Sequence, residues 1–256
     1  MALLEISGIS KHFGGVQALD GASLAVEAGT ITGLIGPNGA GKTTLFNVIS
    51  GLIAADAGRV VFDGEDVTGW RPDRIARRGM VRTFQIARGF PQLTVMENLL
   101  VYAPHQPGEA MATALFARGR AAQAERDAIA RAQAIAERLN LSVVLDRRAS
   151  DISGGQKKLL EIGRALMAEP KLVLLDEPIA GVNPTLADKI AHHLVELQRE
   201  GLTILLIEHN MDLIARLCDP VIVMAAGQRL TQGRFAEVAA DRTVQEAYMG
   251  KRRWGS

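Results

Sequence analysis

The chain has 256 residues, enough for one compact body or a core with an inserted lobe, because domains commonly hold ~100 to 250 residues. It is 48% hydrophobic and 22% charged, a balance that excludes an intrinsically disordered chain. The 29 Lys and Arg residues nearly cancel the 28 Asp and Glu residues, so no overall basic field would attract nucleic acid, and we expect no nucleic-acid partner.

The amino-terminal part, residues 1–86, alternates short β-like runs at 31–35 and 59–62 with glycine-rich turns. Residues 1–6 lack a basic leader and a continuous apolar region, so they are predicted to form an edge strand rather than a signal peptide. One helix is predicted at 42–51. Strand, loop and helix in this order indicate an α/β domain.

Between residues 87 and 166 the composition changes. Residues 110–139 are rich in Ala, Arg, Glu and Gln, and apolar residues recur there at helical intervals. We therefore predict a helical insert with a solvated charged face; a short coiled coil is the alternative.

The β pattern returns after residue 167, with apolar runs at 172–175 and 203–207 around a helix predicted at 184–200. Such runs are typical of a parallel sheet buried on both faces, and they are too short to cross a bilayer, which takes roughly 20 residues. We predict an α/β core at 1–86 and 167–234, a helical subdomain at 87–166, and a C-terminal helix with a basic tail at 235–256.

A glycine-rich loop lies between the strand predicted at 31–35 and the helix predicted at 42–51. It matches the pattern G-x-x-x-x-G-K-[ST] in full, and with the next residue it comprises Gly36, Pro37, Asn38, Gly39, Ala40, Gly41, Lys42, Thr43 and Thr44. Glycines let backbone N–H groups turn towards phosphates, and the following helix N-terminus adds positive potential. Lys42 is expected to reach the β and γ phosphates, and the Thr43 hydroxyl to bind Mg²⁺.

A second candidate anion site is formed by Ser153, Gly154, Gly155 and Gln156, which precede a helix predicted at 157–167. The N–H groups at such a helix start can bind an anion. Taken alone, the segment is equally well explained as a helix cap and loop.

Two adjacent carboxylates, Asp176 and Glu177, follow the apolar run at 172–175. Open α/β sheets bind ligands at the carboxyl ends of their strands. Asp176 is suited to hold Mg²⁺ through its waters, and Glu177 to act as a general base on the attacking water. Together with the glycine-rich loop they define a P-loop NTPase, a class that also includes nucleotide kinases, GTPases and helicases.

With the Ser-Gly-Gly-Gln segment included, the chain resembles the ABC ATPase family over nearly its whole length. Gln85 matches the Q-loop glutamine of the family, Asp176 and Glu177 match its Walker B pair, and His209 matches its switch histidine. The resemblance implies that Gln85 senses the γ-phosphate and Mg²⁺, and that His209 steadies the γ-phosphate and its water. It also implies a RecA-like core with an inserted helical subdomain, and ATP with Mg²⁺ as the bound pair.

The resemblance further implies an assembly. In the family, two ATPase subunits meet head to tail, and each Ser-Gly-Gly segment covers the ATP held by the other subunit. We therefore expect a homodimer or heterodimer of ATPases beneath two integral membrane permeases, with Gln85 and residues 86–93 facing the permease. The location implied is the cytoplasmic face of the inner membrane, and an extracytoplasmic solute-binding protein acts indirectly.

Three positions depart from the family pattern. Phe13 stands where many members have an adenine-stacking tyrosine, and its ring keeps the π face that stacking needs. Ile152 replaces the leucine that usually precedes Ser-Gly-Gly-Gln. Residues 180–184 replace the usual Ser-Ala-Leu-Asp loop, so no role is carried over to an aspartate there.

Four segments, at 81–85, 93–99, 180–184 and 246–250, are similar to the ATPases of branched-chain amino acid importers, the LivG type. Parts of them also occur in the ATPases of urea or amide importers and of a lipopolysaccharide exporter. Two rival interpretations are a soluble ABC protein of translation or DNA repair, and a small-molecule phosphotransferase. The basic tail is expected to be a solvated end, with lipid contact as the alternative.

Overall fold

A computed structural model of the protein describes residues 2–83, 90–104 and 118–249, without the side chains of 118–121. Gln85 and the basic tail therefore lie outside the described residues. The chain divides into two compact units: the first comprises 1–82, 171–178 and 191–256, and the second comprises 83–170 and 179–190. None of the helices described is both long and apolar enough to span a membrane.

The described elements follow one another in chain order, with one 3₁₀ turn at Ser142–Val144. They are β1 (Ala2–Phe13), β2 (Val16–Glu27), β3 (Ile31–Ile35), α1 (Lys42–Ile49), β4 (Ala57–Phe62), β5 (Glu65–Asp66), α2 (Pro72–Arg78), β6 (Met80–Arg82), α3 (Val95–Leu100), α4 (Arg118–Arg138), α5 (Gly154–Met167), β7 (Leu172–Asp176), α6 (Pro184–Arg199), β8 (Thr203–Ile207), α7 (Met211–Leu217), β9 (Val221–Ala225), β10 (Gln228–Gly233), α8 (Phe235–Ala240) and α9 (Arg242–Met249).

The first unit contains a four-stranded antiparallel sheet in the order β2-β1-β4-β5. β1 pairs with β2 on one side and with β4 on the other, so the prediction of an edge strand at 1–6 is wrong. Leu4, Ile6 and Ile9 of this strand are buried. A sequence shows that a strand has an apolar face, but it does not show that β4, some fifty residues later, returns to cover its second edge.

The same unit contains a six-stranded sheet in the order β10-β9-β3-β8-β7-β6. Within this sheet, adjacent strands from β9 to β6 are parallel to each other, and β10 is antiparallel to β9. Every residue of β3, β7 and β8 is buried, which confirms the predicted parallel strands with two covered faces. One hydrophobic cluster includes Leu4 and Phe62 of the first sheet, Phe46 of α1, and Leu34 and Leu174 of the second.

In the second unit, α3, α4 and α5 pack on one another. A Cβ added at Gly163 of α5 would lie 3.0 Å from Leu99 Cδ2 and 3.3 Å from Ile135 Cγ2. Glycine at this position therefore lets α3 and α4 approach α5 closely. The predicted helix at 110–139 is confirmed over 118–138; residues 105–117 lie outside the described part.

The single C-terminal helix predicted within 235–256 is two helices, α8 and α9. Asp241 between them has an extended backbone, with φ −70° and ψ 120°, and its Oδ1 accepts hydrogen bonds from Thr243 N and Oγ1 at 2.8 and 2.7 Å. An aspartate side chain that caps a following helix competes with continuing the previous one. This local capping explains the break.

The one cysteine, Cys218, is 5% exposed. Burial raises the pKa of its thiol to about 12, and the nearby Glu208 carboxylate adds to the shift. A raised pKa keeps the thiol protonated at pH 8, so we expect no reaction of the native protein with a colorimetric disulfide reagent at that pH. The same protein in guanidinium chloride is the control and should release one equivalent; release from the native protein within seconds would contradict the assignment.

Candidate functional site

The glycine-rich loop at 36–41 connects β3 to α1, as predicted. A Cβ added at Gly36 would lie 2.1 Å from the carbonyl oxygen of Met224 on β9, and one added at Gly41 would lie 2.5 Å from that of Ala18 on β2. Gly41 also has a φ of 95°. Side chains are thus excluded at both ends of the loop, whose backbone lies directly against two neighbouring strands.

The N-terminus of α1 has the features of an anion-binding site. Among the described residues, no side chain caps this helix, and its first turn holds no acidic residue. The first N–H groups of a helix have no partner within the helix. They are therefore left for a bound anion, and the helix dipole favours negative charge there.

Lys42 is buried at this helix start, and its Nζ donates to the carbonyl oxygens of Gly36 at 2.8 Å and Pro37 at 3.1 Å. Burial lowers the pKa of Lys42, against the attraction of the Glu177 and Asp176 carboxylates, which raises it. The ammonium group is thus held by its own loop and faces a negative field from the end of β7. A phosphate would be a charge-assisted partner for it.

A cavity of about 490 Å³ opens at the loop, within the size range of small-molecule sites. It is lined by residues of β2, of the glycine-rich loop with the start of α1, and of the ends of β7 and β8. These residues are Val16, Gln17, Ala18, Asn38, Gly39, Ala40, Gly41, Lys42, Thr43, Thr44, Glu177, Ile207 and His209. The structure therefore brings most of the predicted phosphate-binding residues together with Glu177, the predicted base, and His209, the predicted switch histidine.

Glu177 follows β7 in a left-handed conformation, with φ 51°. Its N–H donates to Ile207 O at 2.9 Å, so β8 fixes this conformation. Nε2 of His209 lies 3.0 Å from Glu177 Oε1. Left-handed backbone in a residue other than glycine is strained and concentrates at functional sites, and here it presents the carboxylate to the cavity beside an imidazole.

Asp176 is the last residue of β7 and is buried. Its Oδ2 accepts a hydrogen bond from Arg82 Nη2 at 3.0 Å. Burial lowers the pKa of the Arg82 guanidinium, while Asp176 raises it. Sequence reasoning missed Arg82, although it lies in the segment 81–85 that carries the family resemblance, because nothing in a single sequence shows that an arginine is buried beside a carboxylate.

The donor set fits Mg²⁺. The described residues contain no group of three His, Cys, Asp or Glu side chains that could hold a metal. Mg²⁺ usually keeps several waters and is bound through one or two carboxylates together with substrate phosphates. The Thr43 hydroxyl and the Asp176 carboxylate match that requirement; Gln85, the third predicted ligand, lies outside the described residues.

Phe13 is the last residue of β1 and is 48% exposed. Lys11 Nζ lies 5.7 Å from the centroid of the Phe13 ring. The structure does not place Phe13 among the residues lining the cavity, which begins on this side with Val16. The ring is nevertheless accessible for stacking.

Ser153, Gly154, Gly155 and Gln156 lie in the second unit. Ser153 is the N-cap of α5: its Oγ accepts from Gln156 N at 3.2 Å, and its N–H donates to Gln156 Oε1 at 2.9 Å. The helix begins at Gly154, three residues before the predicted start, because this reciprocal capping box includes Gln156 in the first turn. A Cβ added at Gly154 would meet no atom within 4 Å.

A family model described as ABC transporter matches residues 19–180. The chain is 44% identical over 255 residues to the probable branched-chain amino acid transport ATP-binding protein LivG of Methanocaldococcus jannaschii, covering 98% of each. It is 38% identical over 250 residues to the high-affinity branched-chain amino acid transport ATP-binding protein BraF of Pseudomonas aeruginosa, covering 97% of this chain and 98% of that protein.

The fold is similar to that of solved ABC cassettes. The crystal structure of the ADP conformation of MJ1267, an ATP-binding cassette of an ABC transporter, superposes with a TM-score of 0.83 at 43% identity. The match covers 98% of this chain and 100% of that one, and it confirms the predicted α/β architecture. On its sequence, its fold and its phosphate loop, the chain belongs to the ABC transporter family and is one of the family's ATPases.

Proposed function

We propose that the protein hydrolyses ATP to energise the import of branched-chain or related amino acids through membrane permeases. The observation that carries the hydrolytic part is the cavity in which the phosphate loop, Glu177 and His209 meet. The cargo is supported by the names of the LivG and BraF relatives, which match over nearly the whole chain.

In the proposed reaction, the N–H groups at the start of α1 and the Lys42 ammonium bind the phosphates. Glu177 accepts a proton from the attacking water, and His209 holds the Glu177 carboxylate and contacts the γ-phosphate. The exposed Phe13 ring stacks on the adenine. Thr43, Asp176 and Gln85 would hold Mg²⁺, which would neutralise charge on the phosphate oxygens.

The proposed assembly contains two ATPase subunits, identical or sister chains, beneath two permeases on the cytoplasmic face of the membrane. Residues 1–86 and 167–234 act as the ATPase core, and 87–166 as the helical subdomain. In each subunit, residues 153–156 cover the ATP held by the partner, and Gln85 with residues 86–93 faces the permease. A binding protein outside the membrane delivers the cargo.

The test begins with tagged Glu177→Gln protein, retained on a column with ATP and Mg²⁺ from detergent-solubilised membranes. The matched control is the same column run in EDTA without nucleotide. We expect two polytopic permeases to be enriched with nucleotide, and mass spectrometry identifies them. Enrichment of ribosomal or DNA-associated proteins alone would instead support a soluble ABC protein.

The cargo is then tested in proteoliposomes that contain the wild-type ATPase and the captured permeases. With ATP inside, they should accumulate radiolabelled leucine or a related amino acid when the binding protein is added. Uptake of urea or a short amide in place of amino acids, or export of a lipopolysaccharide, would assign the protein to the urea, amide or lipopolysaccharide transporters instead. Release of a phosphorylated product in place of free phosphate would indicate a phosphotransferase.

A further inference from the structure

Arg82, at the end of β6, joins three elements of the first unit through one buried side chain. One terminal nitrogen, Nη2, donates to Asp176 Oδ2 of β7 at 3.0 Å. The other, Nη1, donates to Asn47 Oδ1 of α1 at 2.5 Å, and Ser50 Oγ lies 3.4 Å from it. The guanidinium thus bridges the carboxylate at the end of β7 and the helix that follows the phosphate loop.

This arrangement costs stability. The Arg82 side chain is 8% exposed, and its Nε is buried without a hydrogen-bond partner among the described residues. A buried donor left unpaired carries an uncompensated desolvation penalty, and a buried ion pair is often no more stable than apolar side chains of similar volume. Packing alone therefore does not account for an arginine here, whereas its effect on Asp176 does.

The contact leaves part of Asp176 available. Its Oδ2 is engaged by Arg82, and within the described ranges no hydrogen bond reaches its Oδ1. Carboxylates that bind a metal are themselves oriented by hydrogen bonds from surrounding groups, and losing such a group typically costs ~10- to 100-fold in metal affinity. The fork of arginine reaches Asp176 and Asn47 with two separate nitrogens, whereas the donors of a lysine all lie on one nitrogen.

We propose that Arg82 is a positioning residue of the ATPase site: by bridging Asp176 and Asn47 it fixes the carboxylate that receives hydrated Mg²⁺, in register with α1. This inference rests on the proposed function, because it concerns the Mg²⁺ that accompanies ATP. Arg82 is three residues before Gln85 in the sequence, so the bridge also anchors the strand that leads into that glutamine. Arg82 itself is not a catalytic residue.

The test measures binding of a fluorescent ATP analogue to the full-length protein, first in EDTA and then over a titration with Mg²⁺. Arg82→Lys should raise the Mg²⁺ concentration for half-maximal enhancement by about tenfold, while binding in EDTA stays within about twofold of wild type. Asn47→Ala removes only the hydrogen bond to α1. It should also raise the Mg²⁺ concentration for half-maximal enhancement, but by less than Arg82→Lys does. Arg59→Lys is the matched control, because Arg59 pairs with Asp66 at the surface. It should leave both the binding in EDTA and the Mg²⁺ dependence at their wild-type values.

Two results would overturn the inference. One is a wild-type Mg²⁺ dependence in Arg82→Lys; the other is an equal loss of binding in EDTA and in Mg²⁺ together with a lowered melting temperature, which would mark a merely structural role. If Arg82→Lys does not fold, Asn47→Ala decides by the same criterion. Failure of the nucleotide-binding part of the proposed function is distinguishable, since the wild-type protein would then bind no ATP analogue at any Mg²⁺ concentration.

Discussion

Glu177→Gln is expected to lower the rate of ATP hydrolysis by ~10²-fold or more, because a positioned general base contributes ~10² to 10⁴ in rate and an amide cannot accept the proton. Glutamine has nearly the same shape, so the left-handed backbone held by Ile207 O and the contact with His209 remain possible. Binding of ATP should therefore stay within about twofold of wild type. The measurement is phosphate release with Mg²⁺, beside equilibrium binding of an ATP analogue.

Glu246→Gln makes the same chemical change at an exposed residue of α9 that pairs with Arg242, and it should retain the wild-type rate. If Glu177→Gln hydrolysed ATP at an unchanged rate, Glu177 would not be the base. A parallel loss of ATP binding would also count against the assignment, because it would place Glu177 in nucleotide binding rather than in proton transfer.

The parts of the fold that were predictable from the sequence are those set by local chemistry. The strands predicted at 31–35 and 203–207 have those bounds in the structure, because continuous apolar runs fit a sheet covered on both faces. The phosphate loop was predictable for a related reason. Glycine, lysine and threonine at a fixed spacing between a strand and a helix describe a local geometry that needs no distant partner.

The predictions that were wrong or incomplete concern places where the structure depends on a residue far away in the chain or on a competing hydrogen bond. β1 is internal because β4 pairs with its second edge, which a single strand's pattern does not encode. The break at Asp241 depends on whether its side chain caps α9 or leaves the helix continuous. Arg82 was overlooked because its partners, Asn47 and Asp176, are 35 and 94 residues away in the chain, and an arginine in a motif is ordinarily read as solvated.

Gly36→Ala is expected to destabilise the nucleotide-free protein by at least ~3 kcal/mol, near the upper end of overpacking costs. The added methyl would lie 2.1 Å from the backbone carbonyl oxygen of Met224, and neither β3 nor β9 can withdraw without disturbing their parallel pairing. For a chain of this size, 1 kcal/mol corresponds to ~2–4 °C in Tm. Calorimetry or circular dichroism should therefore show a fall of roughly 6 °C or more.

The matched control for this substitution is Gly39→Ala in the same loop. Gly39 has a φ of 79°, but a Cβ there would meet no atom within 4 Å, so only the left-handed strain of ~1–2 kcal/mol remains. Its Tm should fall by less than that of Gly36→Ala. Equal losses in the two variants would mean that backbone strain, and not the contact with β9, is what requires glycine at the start of the loop.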